Sequence, residues 1–344
     1  LFYPHNIPTV HYVGTFASFV HGYIAQKFGY AFFQDGNEKA DKSFSIIDES
    51  AKIYDNAWLE NYKLEFPIPP KMGSIYANQL SFRLSDRKWY IHFGGNNVLE
   101  ISEYYNKPEM QEIIQKLRKE KKRGHLFEYD FLIEKIKDCK KKFWKDGFAT
   151  FEDMNLIARC CLRHSNIAKL LAKKFPLIMV DECQDLSFIE LEILDLLKNA
   201  GSCIHYIGDL NQAIYSFKDA QPEYLKKQIS EKNFKTMHLK DNFRSCPQIV
   251  QVACALQSIS QDITGHAQDL CCENSAVYYE YKNEESAVVF FIEFLLRYNI
   301  ALKDAIVLTR NSSLKCKLNA GTVSEYERHA IINALQLWKI DTQE

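Results

Sequence analysis

The stretch Leu177-Ile-Met-Val180-Asp181-Glu182-Cys-Gln184-Asp185 joins a short apolar run to a cluster of polar side chains. A short, wholly apolar run is typical of a strand that is buried on both faces of a parallel sheet. In α/β folds, ligands bind beyond the carboxyl ends of such strands. The two adjacent acids can hold a hydrated Mg²⁺ through one carboxylate and orient a water with the next. The alternative is a strand end that turns into solvent, where acidic residues are common.

Strands and helices alternate on the downstream side of this stretch. Residues 187–199 have helical spacing, with Ser187 as N-cap and Glu190 three positions later, as in a capping box. A second apolar strand is predicted over residues 204–207. Further strands are predicted over 237–239, 277–281 and 305–308, and further helices over 247–258 and 285–298. This alternation predicts a doubly wound α/β sheet.

The part of the chain that precedes Leu177 is predicted to be helical at both ends, with an aromatic-rich region in between. Helices are predicted over residues 15–29, 108–122, 128–144 and 150–171. Between Gln115 and Lys145 there are 12 Lys and Arg against 5 Asp and Glu, although the whole chain has a net charge of −1. Such a basic segment is either a solvated helical face or a surface that contacts phosphates.

Length and composition narrow the classes of protein. The 344 residues predict two domains, and 47% apolar with 25% charged residues exclude a disordered or fibrous chain. No run approaches the roughly 20 apolar residues of a membrane span, and the first residues do not resemble a signal peptide. The ten cysteines include no CxxC pattern, so we interpret them as reduced thiols of a cytoplasmic protein.

Two further segments carry candidate functional side chains. In the segment that begins at Gly208-Asp209, the glycine permits a tight turn and Gln212 offers an amide that can sense a phosphate or water. Tyr215 and Phe217 can stack on bases if they are exposed, or pack in a core if they are buried. Arg244 has a guanidinium suited to the terminal oxygens of a triphosphate, or to a surface ion pair.

The segments LIMVDECQD, YIGDLNQAIYSF and L-x-x-NFRS resemble, in order and spacing, motifs II, III and IV of superfamily 1 DNA helicases of the UvrD/Rep type. Residues 15–19 resemble the TFHSF element of that family, and residues 150–153 its FxDL segment. Residues 305–311 resemble its LxRxN strand, and residues 327–331 the ER-x-E-I stretch that follows it. The resemblance covers most of the chain and is weakest over residues 31–145.

This resemblance implies a fold of two RecA-like P-loop NTPase domains with a mostly helical insert in the first. The first RecA-like domain would comprise residues 1–30 and 149–235, the basic insert residues 31–148, and the second RecA-like domain residues 236–344. ATP would bind between the two domains.

The resemblance also implies roles for individual residues, with ATP and Mg²⁺ as cofactors. Asp181 would bind Mg²⁺ and Glu182 would activate the attacking water. Gln212 would link the γ-phosphate to the DNA site, Arg244 would contact the γ-phosphate, and Phe243 would stack on adenine where the family usually has Tyr. The residues that would contact DNA are Thr15, Phe16, Tyr215, Phe217 and Arg310.

The sequence departs from the family pattern at several points. No GxxxxGKS or GxxxxGKT occurs, and we expect this phosphate-binding loop to lie upstream of Leu1 and the later motifs to lie beyond Glu344. The sequence as printed is therefore expected to be either a piece of a longer helicase or an incomplete sequence of one, and without that loop it is not expected to hydrolyse ATP by the mechanism of the family. Ala17 replaces the usual His, and Asp219 replaces the usual Gly.

The function implied is that of an ATP-dependent DNA helicase and translocase. It would move 3′ to 5′ along single-stranded DNA, act at junctions of single-stranded and duplex DNA, and contact the phosphate backbone through the basic insert. The alternative is a helicase-like DNA-sensing or scaffold protein, similar to the compact UvrD-like components of anti-phage systems of the Gabija kind, that acts with a partner nuclease. A neighbouring nuclease gene would favour this alternative.

Overall fold

The computed structural model describes residues 11–34, 43–94, 97–120, 127–213, 220–232, 234–256, 263–267, 277–280 and 284–307. The chain divides into two compact units, Leu1–Thr236 and Met237–Glu344. Helices and strands occur in both, which confirms that the fold mixes the two kinds of element. Within the described ranges, none of the helices combines the length and the apolar character that a bilayer span requires.

The first unit begins with a continuous helical segment, as predicted over residues 15–29. It comprises α1 (Phe16–Phe19), a π-helical stretch (Val20–Ala25) and α2 (Gln26–Phe28), and α3 (Tyr30–Phe33) follows. Thr15 is the N-cap, since its side chain accepts a hydrogen bond from the backbone N–H of Ser18 at 3.1 Å. The π-helical stretch was not predicted, because the spacing of apolar residues does not resolve so small a change in helical period.

The region between this segment and Ala149 has an aromatic core of its own, which includes Tyr62, Trp89, Tyr104 and Phe143. Its helices and strands, in chain order, are β1 (Ser45–Ile46), β2 (Leu80–Arg83), β3 (Lys88–His92), β4 (Val98–Glu100), α4 (Ile101–Tyr105), α5 (Pro108–Glu120), α6 (Tyr129–Lys145) and β5 (Phe148–Ala149). Three short 3₁₀ helices lie between β1 and β2, at Ala57–Tyr62, Pro70–Met72 and Ala77–Gln79.

Helices α5 and α6 confirm the two helices predicted in this region. The antiparallel sheet β2-β3-β4 was not predicted, and strand β1 pairs in parallel with β5. These strands are two to five residues long, which is too short for a clear alternation of apolar and polar side chains. The region therefore combines helices with a small sheet.

Two helices, α7 (Phe151–Leu162) and α8 (Ser165–Lys174), replace the single helix predicted over residues 150–171. The single-helix prediction is wrong because His164 has an extended backbone, with φ −83° and ψ 111°, although neither Gly nor Pro marks the break. The α7 helix begins at a capping box formed by Thr150 and Asp153.

The rest of the first unit is β6 (Leu177–Val180), α9 (Phe188–Ala200), β7 (Cys203–Tyr206) and α10 (Pro222–Glu231). Strands β6 and β7 are parallel, with Val180 opposite Tyr206. Both strands and the helix α9 were predicted, and Ser187 donates to the Glu190 carboxylate from its backbone N–H at 2.8 Å.

One face of this strand pair is buried and the other is exposed. Val180 and Ile204 pack against α9 and α10, whereas Leu177 and Met179 are 54% and 63% exposed. The prediction that this strand is buried on both faces is therefore wrong for the described part of the chain, because no described element covers the second face.

The second unit contains β8 (Asp241–Asn242), α11 (Pro247–Leu256), β9 (Thr264–Gly265), α12 (Glu284–Arg297) and a 3₁₀ helix at Leu302–Asp304. Strands β8 and β9 are parallel. Both helices were predicted, whereas residues 237–239 and the described parts of 277–281 and 305–308 are not in strands. The side chains there are largely exposed, for example Leu239 at 89%, so their apolar character does not reflect burial in a sheet.

Candidate functional site

Two polar segments of the first unit, residues 181–185 after β6 and residues 208–212 after β7, lie side by side. The backbone N–H of Ile207 donates to the carbonyl of Val180 at 2.8 Å, and the N–H of Cys183 donates to the carbonyl of Ile207 at 3.0 Å. These bonds continue the β6–β7 pairing past the ends of both strands. The acids after β6 are therefore held next to Gly208 and Asp209 after β7.

Glu182 has an unusual backbone conformation, with φ 52° and ψ 40°. This left-handed region is unfavourable for a residue with a Cβ, typically by about 1–2 kcal/mol. The backbone N–H of Glu182 donates to Oδ1 of Asp181 at 3.0 Å. Both side chains are exposed, so both carboxylates are accessible to a ligand.

Gln184 links the two segments, and sequence reasoning did not assign it a role. It is 2% exposed, its Nε2 donates to Oε2 of Glu182 at 2.6 Å, and its Oε1 accepts from the N–H of Asp209 at 3.1 Å. The one signal in the sequence was an amide placed among the acids after a buried strand.

Gly208 is required for space rather than for a turn. A Cβ at this position would lie 2.3 Å from Oε1 of Gln184 and 2.8 Å from Sγ of Cys183. Its φ is not positive, so the predicted turn-forming role is replaced by close packing against Gln184.

Gln212 lies at the end of a 3₁₀ turn, Leu210–Gln212, and its side chain is exposed. Its Nε2 donates to Oδ2 of Asp209 at 3.0 Å. The other carboxylate oxygen of Asp209 accepts from the backbone N–H of Asn211 at 3.0 Å. Asp209 therefore orients the amide of Gln212 while leaving it accessible.

The donor set at the strand ends fits a magnesium ion better than a metal held by protein ligands alone. No group of three or more His, Cys, Asp or Glu side chains within the described ranges could hold a metal. Mg²⁺ usually takes one or two carboxylates and completes its shell with water and phosphate oxygens, and the exposed carboxylate of Asp181 can supply one such ligand. Burial raises the pKa of Cys183 to about 11, so this neighbouring side chain is a neutral thiol and not a thiolate ligand.

The structure describes only two of the five residues that are predicted to contact DNA. Thr15 is exposed, and its hydroxyl lies 2.7 Å from the hydroxyl of Ser18. Phe16 is half-buried and packs against apolar clusters of the first unit, so its ring has a structural role as well. Tyr215, Phe217 and Arg310 lie outside the described residues.

In the second unit, Asn242 shapes the segment that carries Arg244. Its Oδ1 accepts from the backbone N–H groups of Arg244 and Ser245, both at 2.9 Å. Arg244 is exposed and has no ion pair with any residue that the structure describes. Its guanidinium is therefore accessible, and the alternative of a surface ion pair has no partner there.

Phe243 is a candidate stacking residue in the same segment. It is 76% exposed, and one face of its ring stacks on His266 at 5.0 Å between ring centroids. Nε2 of His266 lies 2.8 Å from Oδ1 of Asp241, which fixes the imidazole against the phenyl ring. The other face of Phe243 is available to a planar ligand.

The basic segment between Gln115 and Lys145 is not uniformly a surface. Lys137, Lys141 and Lys142 are exposed, whereas Lys140 is buried, and its Nζ lies 2.6 Å from Oδ2 of Asp153. Lys140 must therefore be removed from the set of residues expected to contact phosphates.

Comparison with known proteins gives evidence about the family of this chain that does not depend on the structure. The model of the family described as UvrD/REP helicase N-terminal domain matches residues 4–235. That match includes both strand ends and the region between β1 and β5.

Several curated proteins are similar over shorter stretches. An ATP-dependent helicase/nuclease component of Carboxydothermus hydrogenoformans is 34% identical over 126 residues, which are 35% of this chain and 11% of that protein. ATP-dependent DNA helicase srs2 of Schizosaccharomyces pombe is 33% identical over 138 residues, or 38% of this chain and 14% of that protein. ATP-dependent DNA helicase Rep of Buchnera aphidicola subsp. Schizaphis graminum is 31% identical over 113 residues, or 32% of this chain and 17% of that protein. The chain thus matches less than one fifth of the length of each of these three relatives.

Proposed function

Since the chain belongs to the UvrD/REP helicase N-terminal domain family, we propose that it is part of an ATP-dependent DNA helicase that couples ATP hydrolysis to movement along single-stranded DNA. The observation that carries this proposal is the arrangement at the ends of β6 and β7. The exposed acids Asp181 and Glu182 are held beside Asp209 and Gln212 by hydrogen bonds. Carboxylates and an amide in this position are suited to phosphoryl transfer, which depends on positioning and charge neutralisation.

Each of these side chains has a proposed role in ATP hydrolysis. Asp181 would hold Mg²⁺, which neutralises charge on the phosphate oxygens when it is bound. Glu182 orients the attacking water and accepts its proton, because its carboxylate is accessible and fixed by one hydrogen bond. Arg244 is proposed to stabilise charge on the γ-phosphate, and Phe243 to stack on the adenine through its open face.

The proposed DNA contacts begin with Thr15 and Phe16 and include three residues further along the chain. Thr15 contacts the strand through its exposed hydroxyl, and Phe16 contacts it through the part of its half-buried ring that remains accessible. Tyr215, Phe217 and Arg310 are proposed to complete the contact, and Gln212 to join it to the γ-phosphate. The exposed lysines of α5 and α6 are proposed to contact the phosphate backbone, where each neutralised phosphate releases counterions.

A second candidate is a DNA-dependent component that acts with a nuclease partner. One relative favours it by its name, the helicase/nuclease component of Carboxydothermus hydrogenoformans. The ATP-site residues would keep the same roles in this case. A DNA-sensing role in phage defence is a narrower form of the same hypothesis.

The protein at its natural full length tests these proposals. ATP hydrolysis is measured with and without single-stranded DNA, and strand separation is measured on duplexes with 3′ or 5′ single-stranded tails. Stimulated hydrolysis with unwinding of the 3′-tailed duplex supports a 3′ to 5′ helicase. Stimulated hydrolysis without unwinding favours the nuclease-partner hypothesis, and no hydrolysis with either DNA contradicts both.

A further inference from the structure

Gln184 is a buried polar side chain, and both the nitrogen and the oxygen of its amide form hydrogen bonds. It donates to the Glu182 carboxylate at 2.6 Å and accepts from the backbone N–H of Asp209 at 3.1 Å. An amide is suited to this position because it donates from one end and accepts at the other. A side chain that only accepts, or only donates, could satisfy one of these partners but not both.

The connection continues on the far side of Asp209. The carboxylate of Asp209 accepts a hydrogen bond from the amide of Gln212 at 3.0 Å. A chain of hydrogen bonds, together with the residue Asp209 itself, therefore runs from the Glu182 carboxylate to the side chain of Gln212. Its central member is 2% exposed, and hydrogen bonds shielded from water are electrostatically stronger than exposed ones.

The surroundings leave Gln184 little freedom to move. Gly208 packs so closely that an added Cβ would lie 2.3 Å from Oε1 of Gln184. Glu182 has a left-handed backbone, and such a conformation persists only where neighbouring groups hold it. The hydrogen bond from Gln184 in turn holds one oxygen of the Glu182 carboxylate.

We propose that Gln184 is a positioning residue that holds the Glu182 carboxylate in place and couples its position to Gln212. In this arrangement, DNA that engages the Gln212 segment adjusts the orientation of Glu182 through Asp209 and Gln184. The inference rests on the proposed function, in which Glu182 orients the attacking water and Gln212 links the γ-phosphate to the DNA. Gln184 acts through its two neighbours, without touching nucleotide or DNA.

The test compares Q184M and G208A with the control Q228M, in the protein at its natural full length. Q184M removes both hydrogen bonds with little change in volume, and G208A crowds the amide while Gln184 itself remains. Gln228 is also buried, at 4% exposed, so Q228M controls for the loss of a buried amide. The assays give kcat and KM for ATP with and without oligo(dT), and thermal melting reports folding.

We expect Q184M and G208A to lower kcat by roughly 10²-fold, since a displacement of about 1 Å at a reacting group has that effect. KM for ATP should stay near the wild-type value, the stimulation by oligo(dT) should be lost, and Q228M should match the wild type.

Three results would overturn the inference. One is wild-type kinetics in folded Q184M and G208A, and another is a lower kcat with unchanged stimulation by oligo(dT). The third is a failure of both variants to fold, which would make Gln184 a structural residue. A wild-type protein that does not hydrolyse ATP, or an E182Q variant that still does, would instead contradict the proposed function itself.

Discussion

Nζ of Lys140 lies 2.6 Å from Oδ2 of Asp153, and the two side chains are 1% and 0% exposed. Lys140 belongs to α6, and Asp153 lies in the first turn of α7. Lys140 also donates to the carbonyl of Ala77 at 3.0 Å, and Asp153 accepts from the N–H of Thr150 at 2.9 Å. This buried ion pair therefore connects α6, in the region between β1 and β5, to the start of α7.

Replacing Lys140 by Met should destabilise the protein by roughly 3–5 kcal/mol, because it leaves the Asp153 carboxylate buried without a counter-charge. Urea unfolding followed by circular dichroism measures the effect as a lower midpoint. Lys137→Met is the matched control, since Lys137 is exposed on the same helix.

The double variant K140M/D153L separates the charge effect from lost packing. It removes both buried charges, so it should be less destabilised than the sum of the two single variants. A single variant K140M with the unfolding midpoint of the wild type would contradict the structural role given to this pair.

Glu182→Gln should abolish ATP turnover while ATP binding survives. The substitution keeps the shape of the side chain and removes the carboxylate that accepts a proton from water, and such a loss typically lowers the rate by roughly 10²–10⁴-fold. Hydrolysis is measured with single-stranded DNA present, and binding with a fluorescent ATP analogue. Glu223→Gln, at an exposed acid in the first turn of α10, is the control and should leave both unchanged.

Signals confined to a few neighbouring residues predicted the structure well. The apolar run at residues 177–180 predicted β6, and the pair Ser187 and Glu190 predicted the start of α9. A short apolar strand and a capping box each depend on residues that are close together in the sequence. The same holds for helices α5 and α6, whose apolar spacing extends over 13 and 17 residues.

Such local signals could not predict contacts between residues that are far apart in the sequence. Gln184 contacts the backbone of Asp209, 25 positions away, only because β6 and β7 pair in one register. Lys140 was counted with the exposed basic residues because its partner Asp153 lies on a different helix. The break at His164 carries neither Gly nor Pro, so composition gave no sign of it.

Arg244→Ala should lower ATP turnover by roughly 10³–10⁵-fold, or less if a second arginine shares the role, because it removes a charge that stabilises the γ-phosphate. The fold of the segment should persist, since the backbone N–H of residue 244 still donates to Asn242. Steady-state hydrolysis with DNA present is compared with Arg163→Ala, at an exposed arginine after α7. Unchanged hydrolysis in R244A would mean that its likeness to the helicase motif is structural only.

Phe217 lies outside the described residues, and a single substitution distinguishes the two roles open to it. If the ring stacks on a DNA base, Phe217→Ala should weaken binding of single-stranded DNA by roughly 1–3 kcal/mol and leave the melting temperature nearly unchanged. If the ring is instead in a core, the cavity should lower the free energy of unfolding by roughly 3–5 kcal/mol. Fluorescence anisotropy with a labelled oligonucleotide measures the first quantity, and urea unfolding the second. Tyr54→Ala, at a ring that is 75% exposed in the same unit, controls for the loss of an aromatic side chain. The proposed function requires the first outcome, and lower stability with unchanged DNA affinity per folded molecule would make the stacking role wrong.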